Sequence, residues 1–137
     1  MLVRAYLKKR KKPEHLTTPL RPAHETALEA LRKLRNKDYL RTGRVREYYF
    51  ELSDIARHYV EDRFQLRAPE MTTEEFLSTL KDSRVLRSGQ KTLLSDFLSH
   101  CDMVKFAKYQ PDENESDASY ESARRFIEET KEAVGSQ

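Results

Sequence analysis

A segment of 21 residues with a helical repeat of apolar side chains constrains the fold more than any other feature of the sequence. The segment, residues 44–64, reads "RVREYYFELSDIARHYVEDRF". Its apolar residues recur at three- and four-residue intervals, as in Val45, Tyr49, Leu52, Ala56 and Tyr59. This spacing is typical of one face of an amphipathic α-helix. We therefore expect a long helix here that forms the spine of the core.

Glycine and proline are scarce, which argues against a fold with many tight turns. The chain has 137 residues, with three glycines and five prolines, a length suited to one domain. Apolar residues at helical spacing recur on both sides of the long segment. We predict an all-α fold, a small bundle of four to five helices with negligible sheet. The helical domain spans residues 22–134, and a basic arm and linker spans residues 1–21.

Several local patterns predict where helices begin. Pro22 suits the first position of a helix, and Thr42 suits the cap of the long helix. Thr72 and Glu75, three residues apart, form the pattern of a capping box. The predicted core takes its large side chains from all these segments: Leu52, Tyr59, Phe76, Leu80, Leu94, Phe97 and Phe126.

Two stretches are harder to assign. Residues 110–117, "QPDENESD", contain a proline and several acids, and we predict an acidic loop. Residues 102–109 carry apolar residues with a looser period. A helix is the expectation there, and a short strand is the alternative.

The sequence holds none of the patterns that mark an enzyme. With three glycines in the whole chain, it offers no glycine-rich phosphate loop and no nucleophile elbow. His100 and Cys101 are adjacent, but a zinc site would need further ligands from elsewhere. We expect Cys101 to lie in the core and His100 at the surface. The prediction is a protein that is not an enzyme and has no cofactor and no metal.

Two places suit contact with a partner protein. Tyr48, Tyr49 and Phe50 are consecutive, so at least one must point away from the core, and packing against the first helix is the alternative to an interface. Acids near residue 112 could steer a basic partner. The candidate contact residues are Tyr48, Phe50, Asp112 and Glu113, with the aromatic ones favoured.

The chain opens with a short apolar stretch followed by five cations. The opening reads "MLVRAYLKKRKKPEH", and the cations are Lys8, Lys9, Arg10, Lys11 and Lys12. This order resembles the cytoplasmic end of a transmembrane helix, where the positive-inside rule places lysine and arginine. A membrane helix is then expected before this segment in the native protein. A basic arm for nucleic acid, or a solvated tail, are the alternatives.

Other features bear on the compartment. The single cysteine cannot form an intrachain disulfide, and the cations follow the apolar residues instead of preceding them as in a secretory signal. No run of about 18 apolar residues occurs. We expect a fragment that is soluble as given and that belongs at the cytoplasmic face of the bacterial inner membrane.

Three stretches carry a resemblance to a known family. They are "GRVREYYFELSDIARHYVEDRF", "MTTEEFLSTL" and "LLSDFLSHCDMVKFAKYQPDENESDASYESARRFIEET". From about residue 24 to residue 131 the chain resembles the C-terminal cytoplasmic region of BatD-like proteins of the bacterial aerotolerance operon. The resemblance implies a single membrane helix, basic residues and a small helical domain, encoded near MoxR-type AAA ATPases and von Willebrand A-domain proteins. The chain departs from that pattern because it lacks the membrane helix.

Two functions follow as expectations. The first is a cytoplasmic interaction domain of a membrane-anchored protein that docks a MoxR-type ATPase or an A-domain protein. The second is a small helical nucleic-acid-binding protein that uses the basic arm. The segment from residue 72 to residue 101 could form a helix-turn-helix, but its second helix offers mainly apolar side chains after Gln90 and Lys91, so base reading is not expected.

Removal of residues 1–20 tests the predicted role of the arm. The segment offers no helical apolar face, so we expect the midpoint of thermal unfolding to stay nearly unchanged. Binding to anionic vesicles should be lost, because each cation near such a surface contributes about 1 kcal/mol. Vesicle sedimentation and thermal unfolding of both chains measure the two effects. A large fall in the midpoint would mean that the arm packs on the domain.

Overall fold

The fold is a bundle of α-helices, as the sequence predicts. The computed structural model describes residues 21–66, 71–81, 84 and 86–132. It contains helices α1 (Ala23–Arg35), α2 (Val45–Phe64), α3 (Thr73–Lys81), α4 (Ser88–Phe106) and α5 (Glu113–Thr130). These described ranges contain no strand. The prediction of four or five helices is confirmed, whereas the cations of the arm lie outside the described residues.

Helix α2 lies at the centre of the bundle. It packs against α1, α4 and α5, while α3 packs on α4. Tyr49, Leu52 and Val60 of α2 are fully buried, so the helix places apolar side chains against several neighbours. The predicted spine is confirmed.

The predicted core is confirmed as well. All seven large side chains assigned to it are at most 5% exposed: Leu52, Tyr59, Phe76, Leu80, Leu94, Phe97 and Phe126. Cys101 is also buried. Burial of side chains of this size contributes roughly 1.5–3 kcal/mol each, so these contacts supply most of the force that holds the helices together.

The helix starts agree with the sequence in one case and differ in two. Thr72 Oγ1 accepts from the Glu75 backbone N–H at 3.1 Å, and the Glu75 carboxylate accepts from the Thr72 N–H at 3.0 Å. Thr42 does not cap α2. The turn before α2 continues to Arg44, which occupies the cap position. The Thr42 hydroxyl instead donates to the Asp38 carbonyl at 2.8 Å. Pro22 sits one residue before α1, in the cap position.

The predicted acidic loop is wrong for most of its length. Helix α5 begins at Glu113, and Asp112 is its cap. The Asp112 carboxylate accepts from the Glu115 N–H at 2.8 Å, and the Glu115 carboxylate accepts from the Asp112 N–H at 3.0 Å. The acids therefore stabilise a helix start, where negative charge is favourable. The helix expected over residues 102–109 is present to Phe106, where α4 ends.

Among the described residues, no helix is both long enough and apolar enough to cross a bilayer.

Truncation of Leu52 tests the central position of α2. Leu52 is fully buried, so Leu52→Ala should lower the free energy of unfolding by roughly 2–5 kcal/mol, through lost burial and the cavity left behind. Chemical denaturation measures the change. The matched control is Glu47→Ala on the exposed side of the same helix, which should change stability far less. A Leu52→Ala protein as stable as the control would contradict the assignment of α2 as the spine.

Candidate functional site

The structure divides the four predicted contact residues between two surfaces. Tyr48, Asp112 and Glu113 line one cleft. Phe50 lies elsewhere, against Phe106 of α4. The division follows from helix geometry, because residues two positions apart on a helix point about 200° apart. Tyr48 and Phe50 therefore face different neighbours.

Tyr48 is not the exposed contact that the sequence suggested. It is 4% exposed, and its ring packs edge-on against Tyr49 with ring centres 5.7 Å apart. Tyr48 therefore belongs to the interior of the domain. Burial raises the pKa of the Tyr48 hydroxyl well above its usual value. The outward-facing member of the aromatic triplet is Phe50, which is half-buried.

The cleft lies between the segment that joins α1 to α2 and the start of α5. Its volume is about 520 Å³. We call it the α1–α5 cleft and define it by its apolar and charged lining residues, which include Leu40, Val45, Pro111, Arg35, Asp112, Glu113 and Asp117. Asp112 and Glu113 are exposed at its edge. Both predicted acidic contacts therefore remain accessible, although they belong to a helix start and not to a loop.

The second surface contains the most exposed large apolar side chain of the described residues. Phe106 is 66% exposed, and Met103, one helical turn earlier, is 48% exposed. The Phe106 ring meets Phe50 edge-on, with ring centres 5.8 Å apart. We call Phe50, Met103, Lys105 and Phe106 the aromatic patch. The sequence analysis did not identify Met103 and Phe106 as contact residues. The looser spacing of apolar residues over residues 102–109 was the signal that could have indicated their exposure.

Two cations hold the rings of the aromatic patch. Lys105 is 7% exposed, and its Nζ lies 4.9 Å from the centre of the Phe50 ring and 5.0 Å from that of Phe106. The same ammonium donates to Ser53 Oγ at 3.1 Å. Arg46 lies over Phe50 at 5.2 Å and donates from Nε to the Lys105 carbonyl at 2.8 Å. Each cation–π contact of this kind contributes about 0.5–2 kcal/mol, so the patch is held in place.

The ionisable groups near α4 do not assemble into a metal site. No group of three or more histidine, cysteine and acidic side chains within the described part of the chain could hold a metal ion. His100 is half-buried, less exposed than expected, because its ring packs between Tyr49 and Tyr109.

The α1–α5 cleft and the aromatic patch both suit binding through apolar, aromatic and charged contacts.

Reactivity of Cys101 tests its burial. Burial raises the pKa of this thiol well above its usual value, and the charges of Lys105 and Arg57 lower it only in part. The thiolate is the reactive form, so the folded protein should not react with a disulfide reagent such as dithionitrobenzoate at neutral pH. The unfolded protein should release the thiol, measured by absorbance. Fast reaction of the folded chain would contradict a buried Cys101.

Comparison with known proteins returned no similarity that bears on identity. No family model matches the chain, and neither a curated protein nor a solved structure matches it significantly.

Proposed function

We propose that this chain is a non-enzymatic interaction domain that docks a partner protein through the aromatic patch. The observation that carries the proposal is Phe106, which is 66% exposed while its ring is held against Phe50. Exposed apolar residues scattered singly are ordinary, whereas a cluster of them is typical of an interaction site. Aromatic side chains in such clusters often supply a large share of binding energy.

The cations around the patch define the chemistry of the partner. Arg46 is exposed and lies over Phe50, and Lys108 is exposed two residues after Phe106. A partner segment with apolar side chains to cover Phe106 and Met103, and with carboxylates to meet these cations, fits the surface. Because the rings are already held by Lys105, little ordering is needed on binding, which favours affinity.

The resemblance to BatD-like proteins suggests which partner and which location to examine. It points to a MoxR-type AAA ATPase or a von Willebrand A-domain protein, at the cytoplasmic face of the bacterial inner membrane. In this proposal the protein is membrane-anchored, and Lys8, Lys9, Arg10, Lys11 and Lys12 lie against the anionic lipid surface. The folded domain would then be presented to the cytoplasm close to the membrane.

Substitution of Phe106 tests the docking surface. Phe106→Ser removes the exposed ring without opening the core, so the midpoint of thermal unfolding should change little. Affinity for a purified MoxR-type ATPase or A-domain protein, measured by calorimetry, should fall at least tenfold, which corresponds to about 1.4 kcal/mol. The control is Glu113→Ala at the α1–α5 cleft, which should keep the affinity of the natural chain.

Three outcomes would contradict docking through the aromatic patch or favour another binding site or function. A folded Phe106→Ser protein that binds its partner as tightly as the natural chain contradicts docking through the aromatic patch. Loss of binding with Glu113→Ala alone would move the contact to the cleft. Binding to DNA that survives physiological salt would favour the alternative function in nucleic-acid binding, since electrostatic contact by a tail weakens steeply as salt rises.

A further inference from the structure

Within the described part of the chain, the hydroxyl of Tyr48 is a buried polar group that forms no hydrogen bond. The residue is 4% exposed. By contrast, the neighbouring Tyr49 hydroxyl meets Ser119 Oγ at 2.9 Å. An unsatisfied buried hydroxyl costs free energy, so each one calls for an explanation.

Tyr48 forms part of the wall of the α1–α5 cleft, together with two charged residues. Tyr48, Arg35 and Asp117 all line the cleft. Burial is the main cause that raises the pKa of the Tyr48 hydroxyl; the charge of Arg35 opposes it and the charge of Asp117 adds to it. The hydroxyl therefore lies within the field of both charged groups.

The charges that line the cleft are not balanced. Arg41 is paired with Asp38 at 2.8 Å, and the guanidinium of Arg35 lies 3.8 Å from the centre of the Tyr120 ring. Glu113 and Asp117 are exposed at the other side of the cleft, and they form no ion pair within the described ranges. The cleft lining contains the cations Arg35 and Arg41 and a larger number of carboxylates, those of Asp38, Asp112, Glu113 and Asp117.

An anion is the less suitable ligand, although a helix begins at the cleft. Helix N-termini attract anions through their free N–H groups. Here Asp112 and Glu115 already accept hydrogen bonds from each other's backbone N–H, and Glu113 adds a further negative charge. An incoming anion would meet these carboxylates.

We propose that the α1–α5 cleft binds an alkyl cation, a guanidinium or ammonium group on an aliphatic stem, such as the arginine or lysine side chain of a peptide. The cation donates to the Asp117 carboxylate and to the Tyr48 hydroxyl oxygen. The aliphatic stem packs on the apolar wall formed by Leu40, Val45 and Pro111. The volume of about 520 Å³ lies within the range of small-ligand sites, about 300–1,000 Å³. This site is separate from the aromatic patch and does not depend on the proposed function.

Titration of the full chain with butylguanidinium tests the site. Heteronuclear NMR should show saturable shifts of the Tyr48 and Asp117 amide signals. Butanol, which has the same stem without the charge, should produce no saturable shift. Asp117→Asn should weaken butylguanidinium binding at least fivefold. Asp54→Asn, which removes an exposed carboxylate of α2 outside the cleft, should leave the binding unchanged.

Tyr48→Phe separates a binding role of the hydroxyl from a structural one. The change removes an unsatisfied buried hydroxyl and keeps the ring, so the midpoint of thermal unfolding should not fall. Binding of butylguanidinium should nevertheless weaken at least threefold. Equal binding by Asp117→Asn and the natural chain would overturn the proposal. So would saturable shifts with butyrate but none with butylguanidinium.

Discussion

The contact between α2 and α5 is the interaction on which the rest of the structure depends. Two tyrosines of α2 carry their hydroxyls into the core, and each meets an alcohol of α5. Tyr59 Oη lies 2.8 Å from Thr130 Oγ1, whose own hydroxyl donates to the Phe126 carbonyl at 2.8 Å. In the same way, Tyr49 Oη lies 2.9 Å from Ser119 Oγ, and the Ser119 hydroxyl donates to the Glu115 carbonyl at 3.0 Å. These two hydrogen-bonded pairs lie at opposite ends of the α2–α5 contact, and together they set the register of α5 along α2.

This register also positions both candidate binding surfaces. Because Tyr49 and Tyr59 face α5, helix geometry turns Tyr48 toward the start of α5 and Phe50 toward the end of α4. The first placement puts Tyr48 in the wall of a cleft with exposed acids. The second completes an aromatic surface that includes the exposed Phe106. One central helix thus serves as core and as part of two surfaces, which explains why consecutive aromatic residues have unlike roles.

Some charged residues are engaged in contacts within the fold, and others are exposed to a ligand at the two surfaces. Asp112 and Glu115 are engaged in the start of α5, and Lys105 is engaged with Ser53 and two aromatic rings. A buried charge such as that of Lys105 is stable only where polar or aromatic partners surround it. Asp117 and Arg46 keep exposed charge at the cleft and at the aromatic patch, so each surface presents its own sign of charge to a ligand.

The sequence by itself determined the helical class, the central helix, the buried large side chains and the capping box of α3. These depend on apolar periodicity and on hydrogen bonds between residues three apart, which are local. Asp112 and Glu115 form a capping box by the same local hydrogen bonds. The sequence analysis predicted a loop there instead, because the segment contains a proline and many acids. Only the tertiary structure decided that Tyr48 is buried, that Phe50 meets Phe106 and that the acids of α5 share a cleft with Tyr48. Those outcomes depend on how helices far apart in the chain pack together, and a periodic pattern states which face is apolar without stating which neighbour covers it.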